Sequence, residues 1–122
     1  MKIRIRGNSV RIRLSKPEVA LFAQEGHVEE RTEFANSALV YAVKSSKAEA
    51  LSADFVDGSI TLYVPTDMLQ QWASTDQVGM DCNMPLPNGK RLYLLIEKDF
   101  KCIDADVTED QSDMYENPLK AC

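Results

Sequence analysis

The chain has 122 residues, 44% of them hydrophobic and 27% charged, with a formal net charge of −5. This describes one ordinary globular domain, large enough to bury a core without staples. The negative balance argues against nucleic acid as a partner, and no apolar run approaches the roughly 20 residues of a membrane span.

Cys82, Cys102 and Cys122 are widely spaced, and His27 is the sole histidine. Neither a disulfide framework nor a zinc-ligand spacing results, so three reduced thiols, no metal and no cofactor are expected. Lys2, Arg4 and Arg6 break up any export-signal h-region, which makes the cytoplasm the expected compartment.

The chain opens on alternating cations and aliphatics, and the phase of the alternation flips at Gly7-Asn8. A two-residue turn there sets Ile5 opposite Val10 and Ile3 opposite Ile12. The same register sets Arg4 opposite Arg11 and Lys2 opposite Arg13. Like charges directly opposed destabilise a hairpin, so a negative group is expected nearby. Ser15-Lys16-Pro17-Glu18 has the form of a capping box, with proline in the first turn. The short helix it starts carries Val19, Phe22 and Ala23 on one face and ends at Gly26. Val28, Glu30, Thr32 and Phe34 then alternate with charged residues as a half-exposed strand. After a turn at Asn36-Ser37, Leu39, Tyr41 and Val43 mark the next strand.

The second half repeats this plan. Asp57-Gly58 signals a hairpin that sets Phe55 opposite Ile60, Ala53 opposite Leu62 and Leu51 opposite Val64, a continuous apolar face. Thr66 is the expected N-cap of a second helix that turns Leu69, Trp72 and Ala73 inward. Val78, Met80, Cys82 and Met84 form a strand, residues 85–89 a turn, and Leu92, Leu94 and Ile96 the return strand. At an offset of fifty residues Val10, Ile12, Leu14, Phe22 and Val28 fall on Ile60, Leu62, Val64, Trp72 and Val78. Extra residues in the later loop bring Leu39, Tyr41 and Val43 onto Leu92, Leu94 and Ile96.

The expected fold is therefore α+β: mostly antiparallel strands with two short helices, as a duplicated strand–strand–helix–strand–strand unit. The strands form one strongly curved sheet or two packed sheets. The domain covers 1–103, with pseudo-repeats 1–47 and 48–103, and 104–122 reads as an acidic, flexible tail without period.

Charge is segregated. Lys2, Arg4, Arg6, Arg11, Arg13 and Lys16 stand in residues 1–17 without an acid, whereas residues 97–122 hold eight acids and three lysines. The candidate site is the basic hairpin face of Lys2, Arg4, Arg11 and Arg13, with Arg6 at the turn. Arginine suits bidentate carboxylate or phosphate recognition. Internal neutralisation by Glu29 and Glu33, or by the acidic tail, is the competing account. Asp104, Asp106, Glu109 and Asp110 lack the glycine and spacing of a calcium loop. No nucleophile has a positioned base, and His27 after Gly26 reads as a surface residue. Glu30, Glu33, Asp54 and Asp81 are the acids from which a carboxylate pair would have to come.

The stretch Met1–Leu14, the stretch Leu92–Cys102 and the acidic Asp110–Pro118 resemble the start and end of a small bacterial protein family of unknown function. That resemblance covers nearly the whole chain. It implies a bacterial, cytoplasmic protein and supplies no catalytic residue and no cofactor. The leading expectation is a non-enzymatic binding protein whose basic hairpin engages an acidic segment, its own tail or a dimer mate's, or a small anion. The alternative is an enzyme on a small anionic metabolite, with Arg4, Arg11 and Arg13 as clamps and a carboxylate as base. It requires a concave pocket joining those arginines to a buried acid. A third reading is β-augmentation along an exposed strand edge.

Overall fold

The opening alternation resolves into β1 (Lys2–Ile5) and β2 (Ser9–Leu14), paired antiparallel with Ile3 opposite Ile12 and Ile5 opposite Val10. Gly7 takes φ +56° at the first of the two turn residues, where L-residues are strained. The computed structural model describes residues 1–100. After β2 the order is α1 (Lys16–Glu25), β3 (His27–Glu33), β4 (Ala38–Ser46), β5 (Ser52–Val56), β6 (Ser59–Pro65), α2 (Thr66–Ser74), β7 (Gly79–Pro85) and β8 (Arg91–Lys98). The expected tail, 104–122, and the expected domain limit at 103 lie outside the described residues.

The strands form two four-stranded sheets, ordered β1-β2-β8-β7 and β3-β4-β6-β5. All four hairpins are antiparallel, and the two central pairings, β2 with β8 and β4 with β6, are parallel. Each central pair joins one half of the chain to the other, so no short turn constrains its direction.

Exchanging the halves carries one sheet onto the other. The register agrees: Val10 and Ile12 face Leu94 and Ile96, as Ile60 and Leu62 face Tyr41 and Val43. A duplicated unit whose copies swap hairpins across a pseudo-twofold has this topology. The alignment needs one correction. Val43 pairs with Val28, and its counterpart Ile96 pairs with Met80. Met80, 6% exposed, therefore replaces Val78, 52% exposed, as the counterpart of Val28. The insertion begins in the α2–β7 connection, not in the later loop.

Inner faces of both sheets and one face of each helix meet in a single core of Val10, Ile12, Leu14, Phe22, Val43, Leu62, Val64, Trp72, Leu94, Ile96 and their neighbours. Phe22 and Trp72, at equivalent positions, are fully buried, each contributing roughly 1.5–3 kcal/mol through burial. Trp72 Nε1 donates to the Val78 carbonyl at 3.0 Å, so its polar atom is satisfied as well.

The helices differ at their starts. Ser15 and Glu18 complete the expected capping box on α1, and Gly26 ends it at φ +75°. Thr66 is not the N-cap of α2. Pro65 holds that position, and the Thr66 hydroxyl donates to the Ser46 carbonyl at 3.0 Å. The apolar face of the second hairpin also stops short, since Phe55 is 68% exposed at its turn end. Phe34, beyond the end of β3, is exposed as well.

Candidate functional site

Because Val10, Ile12 and Leu14 point into the core, Arg11 and Arg13 must point out. The hairpin register aligns them with Arg4 and Lys2 respectively. Lys2, Ile3, Arg4, Arg11 and Arg13 line one open recess of ≈ 140 Å³ on the outer face of the first sheet. Arg6 does not line it. It sits at the turn, its N–H donating to the Ser9 carbonyl and its own carbonyl accepting from Ser9 Oγ.

For one of the two like-charge pairs, Lys2 and Arg13, β8 and the residue that follows it supply the negative groups. Arg13 Nε donates to Glu97 Oε1 at 2.7 Å, and Lys2 Nζ meets Asp99 Oδ2 at 2.9 Å. Asn8, in the turn, ties the other end of the hairpin down, donating from Nδ2 to the Arg91 carbonyl at 2.6 Å. The expected neutralisers are engaged elsewhere. Glu29 meets His27 at 2.9 Å and Glu33 meets Arg31 at 3.2 Å, on the other sheet.

The signal for Glu97 was its phase, since Leu94 and Ile96 inward put Glu97 and Asp99 outward. Nothing local said that β8 lies beside β2. Among the described residues, Arg4 and Arg11 face each other with no carboxylate in ion-pair range.

Beside Arg11 on the same outer face, Tyr93 donates its hydroxyl to Asp81 Oδ2 at 2.9 Å. That bond, then desolvation and the Asp81 charge, pushes the phenol above its ordinary 10.0, while the Arg11 charge pulls it down. Tyr63 likewise donates to Asp54 at 3.2 Å on the second sheet. The acids considered as a carboxylate pair are thus dispersed: Asp81 holds Tyr93, Asp54 holds Tyr63, Glu33 holds Arg31 and Glu30 holds the Met1 ammonium.

That ammonium forms a second charged cluster, where the β1 edge meets β3. It lies 2.5 Å from Glu18 Oε2 and 2.7 Å from Glu30 Oε2. Burial opposes its charge, but the two carboxylates prevail and raise its pKa above 8.0. Burial would raise Glu18, and the bonds from Met1 and Ser15 bring it below 4.5 instead.

No cluster of metal-ligating side chains occurs among the described residues. Asp104, Asp106, Glu109 and Asp110, considered for calcium, lie outside them. No described helix is long and apolar enough to cross a membrane.

A family model described as a family of unknown function (DUF7009) matches residues 1–119. No curated protein and no solved structure matches the chain.

Proposed function

The chain belongs to the family of unknown function DUF7009, and from its geometry we propose a non-enzymatic binding protein that holds carboxylates of an acidic polypeptide segment between Arg4 and Arg11. One observation carries this reading: Lys2 and Arg13 are neutralised by Asp99 and Glu97, whereas the directly opposed Arg4 and Arg11 have no acid among the described residues. Two adjacent guanidinium groups offer the forked donors that carboxylates accept, and a carboxylate there relieves their mutual repulsion.

The size of the recess favours a surface-laid segment over an engulfed metabolite. At ≈ 140 Å³ it is well below the roughly 300–1,000 Å³ of small-molecule pockets. Among the described residues no acid lines it, so the enzyme reading has no base there to draw on among them. A bacterial cytoplasm completes the proposal: the free thiol of Cys82 suits a reducing compartment, and the bacterial source rests on the resemblance of the chain's two ends.

The test is titration with hexaglutamate at low salt, followed by calorimetry, with hexaglutamine as the neutral control. Arg4→Gln/Arg11→Gln removes two exposed pairs of ~0.2–1 kcal/mol each, which predicts about tenfold weaker binding. Equal affinity of the double variant and the wild type would overturn the proposal.

A further inference from the structure

We propose that the acidic segment served by Arg4 and Arg11 is the chain's own, residues 104–110, so that the binding face is masked in cis until a competing acidic partner displaces it. This rests on the reading above and names its occupant. Three observations lead to it.

First, the structure carries the chain to the edge of the face. The Asp99 N–H donates to the Leu14 carbonyl at 2.9 Å, and its carboxylate meets Lys2 on β1 at 2.9 Å. At Asp99 the described chain therefore lies beside the hairpin, not across the molecule from it.

Second, the distance is short. The Arg4–Arg11 row lies two residues back from the Lys2–Arg13 row, which is about 7 Å along a strand. Five residues from Asp99 to Asp104 span up to ~17 Å, enough to reverse direction and return over the face.

Third, charge and spacing match. Residues 101–122 hold Asp104, Asp106, Glu109, Asp110, Asp113 and Glu116 against Lys101 and Lys120. Glu97 and Asp99 are two residues apart and neutralise Arg13 and Lys2. Asp104 and Asp106 repeat that spacing, and in an extended chain they lie on one side about 7 Å apart, within reach of two facing arginines. A tether this short gives an effective concentration in the millimolar range, so weak individual pairs suffice.

The experiment uses the full chain, with Asp104→Asn, Asp106→Asn, Glu109→Gln and Asp110→Asn combined, titrated with hexaglutamate at low salt. A face covered nine-tenths of the time shows an apparent Kd raised about tenfold, so the neutralised variant is expected to bind about tenfold more tightly than wild type. Adding Arg4→Gln/Arg11→Gln should abolish the difference. Equal affinity of wild type and neutralised variant, both weakened by the arginine changes, overturns self-masking and leaves the binding face standing. Affinity indifferent to the arginine changes in either background overturns the binding reading itself. A gain that varies with protein concentration overturns masking in cis, because the segment then acts between molecules.

Discussion

The two first hairpins of the duplicated halves, β1–β2 and β5–β6, share one face and differ on the other. Inside, Ile3, Ile12 and Leu14 correspond to Ala53, Leu62 and Val64, and β2 and β6 each lie at the centre of a sheet. Outside, Arg4 and Arg11 correspond to Asp54 and Thr61, and the Arg13–Glu97 row becomes Tyr63 beside Lys44. The core dictates the inner face because a strand between two neighbours must bury it. The core does not dictate the outer face, which carries cations on the first hairpin and Asp54 with a buried Thr61 on the second.

The edges where the sheets meet repeat the lesson. At one, the Met1 ammonium sits between Glu18 and Glu30; the equivalent positions at the other are Leu51, Met68 and Cys82. One backbone plan accepts a charged cluster or an apolar one, provided each is satisfied within itself.

Substitutions can break this comparison. The largest effect falls where the halves agree: Trp72→Ala and Phe22→Ala should each cost about 3–5 kcal/mol in urea unfolding. A loss below 1 kcal/mol at either residue would contradict the shared core.

The hairpin turns should separate next. Gly58→Ala meets both a φ of +78° and the Ala38 carbonyl 3.3 Å from the new Cβ, whereas Gly7→Ala meets only a φ of +56°. Both should destabilise, by about 1–3 kcal/mol, with Gly58→Ala the worse. The reverse order in thermal melts would show that the first turn is the more constrained.

Glu18→Gln should cost about 1.5–3 kcal/mol or less, the worth of a hydrogen bond to a charged group, and the cost should depend on pH. The Glu18 pKa is lowered when folded, so its contribution is present above 4.5 and is lost as pH falls through the folded value. The ammonium's pKa is raised, so its share is complete below 8.0 and is lost as pH rises through the folded value. Unfolding curves should show the difference from wild type greatest between these limits and shrinking on both sides. A pH-independent difference would assign the effect to the helix cap alone.

The smallest effect should come from Arg11→Thr, which installs the residue of the second half. Stability should stay within about 0.5 kcal/mol or rise slightly, since a like-charge pair is removed. A loss above 1 kcal/mol would show that Arg11 holds the fold together.

Much of the architecture was legible because it is local. Gly7-Asn8 and Asp57-Gly58 announce their hairpins through the backbone angles they admit. Ser15 and Glu18 announce a helix start, and period-two alternation separates inner from outer residues before any partner is known. These are interactions across a few residues, and the chain specifies them wherever it goes. The cap of α2 escaped for a tertiary reason: the Thr66 hydroxyl finds the Ser46 carbonyl on β4.

The basic face divides along the same line. That Arg4 opposes Arg11 follows from the turn alone, because two intervening residues leave one register. That Lys2 and Arg13 are already neutralised does not, for their partners Glu97, on β8, and Asp99, just after it, arrive through the parallel pairing of β8 with β2. Residues more than eighty positions apart are joined there by no turn. Their register is settled by the inward packing of Val10, Ile12, Leu94 and Ile96 in a shared core, a condition no local pattern contains.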